Sequence, residues 1–441
     1  MTLNGSGPGS AGQGYIDAFA IGISGQLYGK REPARDRERL LRDGLNMSAC
    51  ALLFDARGVN PTPEGIGGYD GDPDASARVI GDLVPVPWAK VPTQQCLLDL
   101  RHAATGERFW YDPRKILQDV VDRLNADGLY PVVACELEFY LTAAKRNPDG
   151  GVAPANLART GAPPRTEENF SLSLVEDYAD FIADIAAASE AQGVPVGTAI
   201  SEYGIAQFEI NLEHGPDPVL AADQAVLLRR IVRGVARARG DDATFMAKPF
   251  VEQPGSGMHV HVSLVDKDGK NRMSGEDALL EPAVAGLQRT LAETMAFYAP
   301  NFSSFRRLKP KMFVPMDTSW GYNNRSVAFR VPTGSDKARR IEHRVAGADA
   351  SPHLVVAAIL AGMHAGIKGK WQPTPPIEGV SEGDGSDLPR NLIAALDRMT
   401  GSAVLKEYIP QRFLQLFRDN RMGEFEALFH APSAVEYDFY L

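Results

Sequence analysis

Polar and apolar residues alternate along four segments of this chain, and this alternation limits the fold more than any other feature of the sequence. The segments are YPVVACELEFYL from residue 130, SEYGIAQFEINL from 201, GSGMHVHVSL from 255 and ARRIEHR from 338. Successive side chains of a β-strand point to opposite faces of its sheet. The sequence therefore predicts a sheet with one face in a core and the other face lined by charged groups.

The polar faces of these strands carry the candidate functional residues. A lone pair of acids at i and i+2 usually marks a solvated strand edge, and a single arginine usually belongs to a surface ion pair. The number of acids changes this interpretation, because unpaired buried charges each cost several kcal/mol. Cations must therefore accompany the five glutamates, which are Glu136, Glu138, Glu202, Glu209 and Glu342.

The segment from residue 255 adds two imidazoles to this set. His259, His261 and Ser263 share one strand face, after a Gly-Ser-Gly bend that exposes backbone N–H and C=O groups. A single buried histidine is usually structural, whereas two beside such a bend favour a functional site. Carboxylate oxygens with an imidazole suit Mg²⁺ or Mn²⁺, and two ions fit five acids better than one.

Arginines are concentrated in the segments next to these acids. The positions concerned are Arg307, Arg325, Arg330, Arg340 and Arg344. Guanidinium groups beside metal ions are typical of enzymes that transfer a phosphoryl group, where both stabilise the charge on that group. The sequence therefore indicates ATP as a co-substrate, although it contains neither a Walker A loop nor a GxGxxG motif after a strand.

Composition excludes several other classes of function. With a net charge of -10 and a pI near 5.4, the 441-residue chain lacks the basic stripe of a nucleic-acid-binding protein. Its most apolar stretch, residues 354–367, is shorter than the roughly 20 residues that cross a bilayer, so we expect no membrane span. Cys50, Cys96 and Cys135 are widely spaced, which indicates free thiols in a reducing cytoplasm.

The chain divides into a tail and two domains. Residues 1–14 are rich in Gly and Ser and lack an apolar segment, which predicts a flexible tail and no signal peptide. Residues 15–109 alternate in short runs around a Gly/Pro/Asp-rich loop, which predicts a small β-rich domain. A helix capped by Asp112, with Pro113 at its first position, opens the second domain, residues 110–441.

Helical periodicity recurs through this second domain. Helices are predicted over residues 113–128, 174–192, 218–239, 280–298 and 352–367, with another from about residue 403. The DKDGK segment from Asp266 predicts a hairpin turn, because its glycine comes too early for a calcium loop. Together the strands and helices predict an α+β fold.

Taken in order, the segments ELEFYL, SEYGIAQFEI, ATFMAKPF with GSGMHVHVSL, NNRSVAFRVP and KARRIEHRVAGADASPHL resemble the signature blocks of glutamine synthetases. The resemblance spans nearly the whole chain and is greatest to the γ-glutamylputrescine synthetase branch, which has a GKR motif like that at residues 29–31. It implies an N-terminal β-grasp-like domain and a catalytic domain with a curved antiparallel sheet flanked by helices. It also implies hexameric rings stacked as a dodecamer, with active sites between neighbouring subunits.

The resemblance further implies a role for each candidate residue. One metal ion would be held by Glu138, Glu202 and Glu209, and a second by Glu136, His259 and Glu342. The implied nucleotide contacts are His261, Ser263 and Lys337, and the implied glutamate contacts are Gly255, Arg307 and Arg344. The implied catalytic residues are Arg325, Arg330 and Arg340, which would steady the transferred phosphate, and Asp55, which would bind and deprotonate the amine.

The implied reaction has two steps, in which ATP phosphorylates the γ-carboxylate of glutamate and an amine then displaces phosphate. Phe313 stands where ammonia-using members have a glutamate, and Phe170 where they have a tyrosine. Such a lining favours an alkyl amine over ammonium, because each buried CH₂ group gains about 0.8 kcal/mol. Putrescine or another polyamine is therefore favoured. Ammonia, ethanolamine or another small monoamine stays open, as does a catalytically silent regulatory or structural role.

Overall fold

The computed structural model of this protein describes residues 14–60, 66–67, 70–148, 150–166, 169–309, 314–381, 383, 388–433 and 436. The predicted flexible tail, apart from Gly14, lies outside these residues, and so does Phe313.

A five-stranded sheet forms the first domain. Its strands are β1 (Tyr15–Ile21), β2 (Leu27–Pro33), β3 (Leu45–Ser48), β4 (Asp74–Pro85) and β5 (Thr93–His102). Their order is β2-β1-β5-β4-β3, in which β1 and β5 are parallel and the other neighbours are antiparallel. A short helix, α1 (Arg37–Asp43), buries Leu40. This mixed sheet with its helix confirms the predicted β-grasp-like fold.

A second sheet of eight strands carries the four alternating segments. Its strands are β6 (Tyr130–Ala143), β7 (Val196–Ser201), β8 (Gln207–Leu212), β9 (Asp241–Thr244), β10 (Met258–Val265), β11 (Trp320–Tyr322), β12 (Phe329–Val331) and β13 (Ile341–His343). The order is β11-β12-β13-β10-β6-β8-β7, and β9 pairs with the end of β6. The expectation of an antiparallel sheet holds except at one edge, where β11 and β12 are parallel.

Helices surround this sheet, and most of their predicted bounds are confirmed. They are α2 (Pro113–Ala126), α3 (Leu172–Asp177), α4 (Ala179–Ala191), α5 (Pro218–Arg239), α6 (Leu280–Tyr298), α7 (Pro352–Gly369), α8 (Leu392–Gly401), α9 (Ala403–Tyr408) and α10 (Gln411–Phe429). The predicted cap of α2 is present, because the Asp112 carboxylate accepts a hydrogen bond from the Arg114 N–H at 2.8 Å. The Asp266 N–H donates to the Lys270 carbonyl at 3.0 Å, as expected for the predicted turn.

Two predicted helices are wrong in their continuity. The helix predicted over residues 174–192 is broken at Tyr178, where φ is -112° and ψ is 18°. The Tyr178 side chain turns into the core, where its ring packs on Phe208 at 5.1 Å and its hydroxyl donates to the Ala155 carbonyl. The helix predicted from residue 403 is divided into two helices, α9 and α10. Pro410 separates α9 from α10, because the residue before a proline favours an extended backbone, as Ile409 adopts.

Close contact between α6 and α7 depends on glycines. A Cβ atom at Gly286 would lie 2.0 Å from the Gly362 carbonyl oxygen, so neither residue can be larger without separating the helices. Helix α7 is almost completely buried, as its apolar sequence predicted. Within the part of the chain that the structure describes, no helix is both long and apolar enough to span a bilayer.

A buried charged cluster joins three of these helices. Asp223 on α5 accepts hydrogen bonds from the Arg114 guanidinium on α2 at 2.9 Å and lies 2.9 Å from His353 Nε2 on α7. Burial alone would raise the pKa of Asp223, but His353 and Arg114 outweigh it and hold this pKa below its ordinary value. The charge of Asp223 therefore fixes the positions of α2, α5 and α7 relative to one another.

We expect the substitution Asp223→Asn to lower the free energy of unfolding by about 3–5 kcal/mol, because it leaves the buried Arg114 without its counterion. Denaturant unfolding at pH 7 measures this loss. The lowered pKa means that the contribution is complete above the unfolded pKa of about 3.9 and disappears as the pH falls through the folded pKa. Asp119→Asn, which removes an exposed ion pair with Lys115, is the control. Equal losses in the two variants would contradict the structural role of Asp223.

Candidate active site

Strand register brings the predicted acids and imidazoles together. His259 on β10 lies opposite Glu136 on β6, and Glu138 lies opposite Glu209 on β8. On the other side of β10, His261 lies opposite Glu342 on β13. Directly opposed residues share a face and have neighbouring side chains. The four alternating segments therefore form one continuous charged surface with β10 at its centre.

His259 lies at the middle of the carboxylate cluster. Its Nδ1 atom is 3.5 Å from a Glu136 oxygen and 3.9 Å from oxygens of Glu209 and Glu342. Its Nε2 atom is 3.7 Å from a Glu138 oxygen. The imidazole is only 8% exposed. One buried ring is thus surrounded by four carboxylates.

Two groups of ligand atoms are close enough to hold metal ions. One consists of Glu136, Glu209 and His259, and the other of Glu136, His261 and Glu342. These groups combine the residues differently from the sets implied by the resemblance. Glu138, which belongs to neither group, accepts a hydrogen bond at its Oε2 from the Gly257 N–H at 2.7 Å.

The pKa values of the carboxylates diverge strongly. Burial, and then the charges of Glu136 and Glu138, raise the pKa of Glu209 to about 10. Burial and Glu138 raise the pKa of Glu202 to about 7. Burial would also raise the pKa of Glu136, but its hydrogen bonds with the two histidines outweigh burial and lower it. The protein alone does not compensate the negative charge of this cluster, and oxygen and imidazole ligands of this kind fit Mg²⁺ or Mn²⁺.

Glu342 is the member of the cluster that arginines neutralise. Its carboxylate pairs with Arg330 Nη1 at 2.6 Å and with Arg344 Nη1. Burial would raise the pKa of Glu342, but Arg344 and the histidines lower it to about 2. Glu342 is therefore ionised, and its ion pairs place Arg330 and Arg344 beside the cluster.

Three arginines next to this cluster each have a buried donor without a partner in the described part of the chain. The Nε atoms of Arg307, Arg330 and Arg344 have no hydrogen-bond acceptor among the described residues. Unpaired buried donors are rare because each costs free energy, and a ligand with anionic oxygens would satisfy them. The site therefore combines a cation-binding cluster with groups for an anion.

Glycines bring Arg307 close to the cluster. A Cβ atom at Gly255 would lie 2.6 Å from Arg307 Cγ, and one at Gly257 would lie 2.6 Å from Arg307 Nη2. The Arg307 Nη1 group donates to the Val345 carbonyl at 2.8 Å, which fixes the side chain. The Gly-Ser-Gly bend recognised in the sequence thus provides the space for a buried arginine.

A cavity of about 220 Å³ contains most of the predicted residues. Those that line it are Glu136, Glu138, Phe170, Glu202, Glu209, Gly255, His259, Arg307, Arg325, Arg330, Glu342 and Arg344. The cavity therefore unites the predicted metal and glutamate residues with two of the three predicted phosphate arginines.

The predicted nucleotide residues lie along the side of this cluster. His261 Nε2 is 2.8 Å from Glu136, and its Nδ1 accepts from Arg340 Nε at 3.0 Å. The Ser263 hydroxyl donates to the Arg339 carbonyl at 3.0 Å. Lys337 is exposed in a short 3₁₀ turn (Asp336–Ala338). These groups form an extension of the charged surface beyond the cavity.

Asp55 does not line the cavity of its own chain. It is fully buried in the first domain, where its carboxylate accepts from the Arg57 N–H and Nε groups at 2.8 Å each. The same loop contacts α10, because the Ala56 N–H donates to Glu424 at 3.0 Å. Within one chain, therefore, the structure does not bring Asp55 to the carboxylate cluster around His259, and the role of Asp55 stays a prediction.

Sequence analysis missed several residues of the site. Ile200, Tyr203 and Pro254 line the cavity, and the His214 ring lies 5.7 Å from that of His261. Burial and the charge of His261 lower the pKa of His214 to about 4. Strand alternation could not reveal His214, because β8 ends at Leu212 and the period of two ends with it.

A larger cavity of about 830 Å³ lies between the first domain, α5 and α10. Its arginines are mostly engaged by the protein. Arg230 pairs with Asp17 at 2.8 Å, and Arg229 donates to the Ala350 carbonyl at 2.7 Å. None of the five clustered glutamates lines this cavity, so the larger cavity is not the candidate active site.

Comparison with known proteins agrees with this geometry. The sequence profile of the family described as "Glutamine synthetase, catalytic domain" matches residues 110–440. The gamma-glutamylputrescine synthetase PuuA of Escherichia coli K12 is 36% identical over 423 residues, which cover 94% of this chain and 89% of PuuA. A glutamate–isopropylamine ligase of a Pseudomonas species is 31% identical over 371 residues, covering 81% and 79%. A solved GmaS/ADP complex, 23% identical, has the same fold with a TM-score of 0.81 over 98% of this chain and 97% of that one. The chain belongs to the glutamine synthetase family.

Proposed function

We propose that this protein joins the γ-carboxylate of glutamate to an alkyl amine, using ATP and two or more Mg²⁺ or Mn²⁺ ions per site. The observation that carries the proposal is the cavity in which a carboxylate–imidazole cluster faces unpaired arginine donors. The names of two relatives support the acceptor class, because one is a γ-glutamylputrescine synthetase and the other a glutamate–isopropylamine ligase.

The first step phosphorylates glutamate. The γ-carboxylate attacks the terminal phosphorus of ATP and releases ADP, which leaves γ-glutamyl phosphate in the cavity. Arg307, Arg344 and the Gly255 backbone hold glutamate at the end of the cavity where the glycine bend lies. When bound, divalent ions neutralise charge between the carboxylates and the phosphates. Arg330, with its buried Nε group, donates to the oxygens of the transferred phosphate.

The second step forms the amide. A neutral amine attacks the acyl carbon of γ-glutamyl phosphate, the C–O bond to phosphate breaks, and the proton lost from nitrogen leaves with phosphate or a basic group. Arg325 and Arg340 add positive charge on the phosphate side of the site, which stabilises the departing group. His261, Ser263 and Lys337 form the nucleotide side. Since the residues supply orientation and charge, no nucleophilic side chain is required.

The amine side of the cavity is apolar and aromatic. Phe170 lies there with Ile200 and Val314, and its ring is 5.9 Å from the guanidinium carbon of Arg325. Phe170 is 56% exposed and has a φ of 57°, which is unusual for a bulky residue and is typical of strained functional positions. Such a surface favours the methylene groups of putrescine or a related polyamine over ammonium.

We also propose an oligomeric assembly and a cellular location for this protein. Stacked hexameric rings would place the Asp55 loop of one subunit at the cavity of its neighbour, where Asp55 could bind the amine. The domain boundary is placed at residues 109/110, which the start of the matched profile at residue 110 supports. Three free, buried cysteines support a reducing cytoplasm.

A panel of amines tests the acceptor. With glutamate, ATP and Mg²⁺, we expect phosphate release to be fastest with putrescine or spermidine and at least tenfold slower with ammonium, ethanolamine and simple monoamines. A steady-state phosphate assay measures the rates. Glu209→Gln, which removes a metal ligand, is the inactive control. Faster phosphate release with ammonium would instead identify a glutamine synthetase. The absence of phosphate release with every amine would indicate a noncatalytic member of the family.

A substitution in the amine wall tests the role of Phe170. Phe170→Ala removes contact with about two CH₂ groups, so we expect the KM for the preferred alkyl amine to rise about tenfold while the KM for ammonium stays within twofold. Steady-state kinetics with both acceptors provide the measurement. The matched control is Phe302→Ala, since Phe302 is also exposed but contacts Arg306 and Phe425 outside the cavity. Parallel changes for both acceptors would exclude Phe170 from amine selection.

Metal binding should release protons at pH 7. Glu209, with a pKa of about 10, holds a proton in the metal-free protein, and Glu202, with a pKa of about 7, is partly protonated. Ligation requires both carboxylates to ionise, so we expect about one to two protons to leave per site. Titration calorimetry with Mn²⁺ in buffers of different ionisation enthalpy counts them. Glu209→Gln should release about one proton fewer, and binding without proton release would contradict the assignment.

A further inference from the structure

Three consecutive backbone carbonyls before β10, those of residues 253–255, each accept a hydrogen bond from a different buried side chain. The Lys248 ammonium group donates a hydrogen bond to the first carbonyl, that of Gln253. The Tyr140 hydroxyl donates to the second at 2.7 Å, and Gln207 Nε2 donates to the third at 3.0 Å. Backbone carbonyls in a surface loop commonly bond to water, so three successive side-chain donors mark a segment whose conformation is held from inside.

The donors come from separate elements and are themselves fixed. Tyr140 lies on β6, Gln207 begins β8, and Lys248 follows β9. Gly204 leaves the space that Tyr140 occupies, because a Cβ atom there would lie 2.0 Å from the Tyr140 hydroxyl. The Gly204 N–H also donates to Gln207 Oε1 at 2.9 Å, which turns the Gln207 amide nitrogen toward Gly255.

Lys248 shows that this arrangement has a free-energy cost. Its side chain is buried, and no carboxylate lies within ion-pair distance of it among the described residues. Burial and the nearby Lys309 lower its pKa, and the charge of Glu252 only partly opposes them. A buried ammonium that contacts a carbonyl instead of an acid is expensive, so its contact with the Gln253 carbonyl must serve the segment that it holds.

Holding these carbonyls determines which groups face the cavity. The peptide bond is planar and trans, so the Gly255 N–H points away from the Pro254 carbonyl and hence away from Tyr140. No acceptor for this N–H is found among the described residues. Gly255 lines the cavity, and Arg307 packs directly against it. The clamped segment therefore presents both a free N–H donor and the surface that places Arg307.

We infer that Tyr140, Gln207 and Lys248 form a carbonyl clamp, a set of positioning residues that orient the Gly255 peptide and Arg307 for the amino-acid substrate. This inference rests on the proposed function in taking glutamate as the substrate at this loop. Tyr140 and Lys248 do not line the cavity and act through the backbone, so their loss weakens glutamate binding without removing a catalytic group.

Tyr140→Phe in the full-length protein tests the clamp, because it deletes one hydroxyl and leaves the ring. The KM for glutamate is expected to rise about tenfold, with the KM for ATP and kcat within twofold, since the lost interaction affects ground state and transition state alike. Lys248→Met is a second variant that should change the same constant. Lys248→Met removes the ammonium group that holds the Gln253 carbonyl. It therefore tests the clamp independently if Tyr140→Phe impairs folding.

Tyr178→Phe is the matched control. The Tyr178 hydroxyl is also buried and donates to a backbone carbonyl, that of Ala155 at 3.2 Å, but on the opposite side of the sheet from the cavity. It should lower the melting temperature as Tyr140→Phe does and leave the KM for glutamate unchanged. An unchanged KM for glutamate in both clamp variants of an active enzyme overturns the clamp alone. A wild-type enzyme whose ATP turnover does not depend on glutamate overturns the clamp and the proposed function together.

Discussion

Four carboxylates on one face of a sheet, with a fifth directly after β7, are the constraint on which the catalytic domain depends. Such a concentration of negative charge cannot be buried unless the surrounding groups compensate it. The protein does so in two ways. Arginines neutralise Glu342, while Glu209 and Glu202 have raised pKa values and retain protons. Ligand atoms of this cluster are close enough to hold divalent ions, which would supply further positive charge.

The apolar face of the same sheet makes this arrangement rigid. Leu137, Phe139 and Val260 lie in the core behind the charged surface. A slip of one residue in any of these strands would bury its charges and expose its apolar side chains, so the register is strongly specified. The Asp223 cluster fixes three helices near this core, and the glycine contact between α6 and α7 closes the packing. Catalytic geometry and stability thus depend on the same strand pairing.

In the proposed mechanism, the glutamate–phosphate half and the amine half of the site lie on different kinds of secondary structure. Charged groups for glutamate and phosphate stand on strands or on segments held by buried donors, such as Gly255 and its clamp. In the proposed site, the amine side instead uses loop residues such as Phe170, which has a positive φ. Two relatives of this chain are named for different amines, putrescine and isopropylamine.

The sequence by itself determined most of the features that depend on local periodicity. Alternation placed Glu136, Glu138, Glu209, Glu342 and the two imidazoles on common strand faces, and helical periodicity gave the bounds of α5 and α6. Tertiary structure alone decided the features that depend on distant partners. The break at Tyr178 follows from its contact with Phe208, and the close approach of Glu136, Glu209 and His259 follows from the pairing of separate strands. His214 and the carbonyl clamp follow no local pattern, because packing joins segments that the sequence keeps far apart.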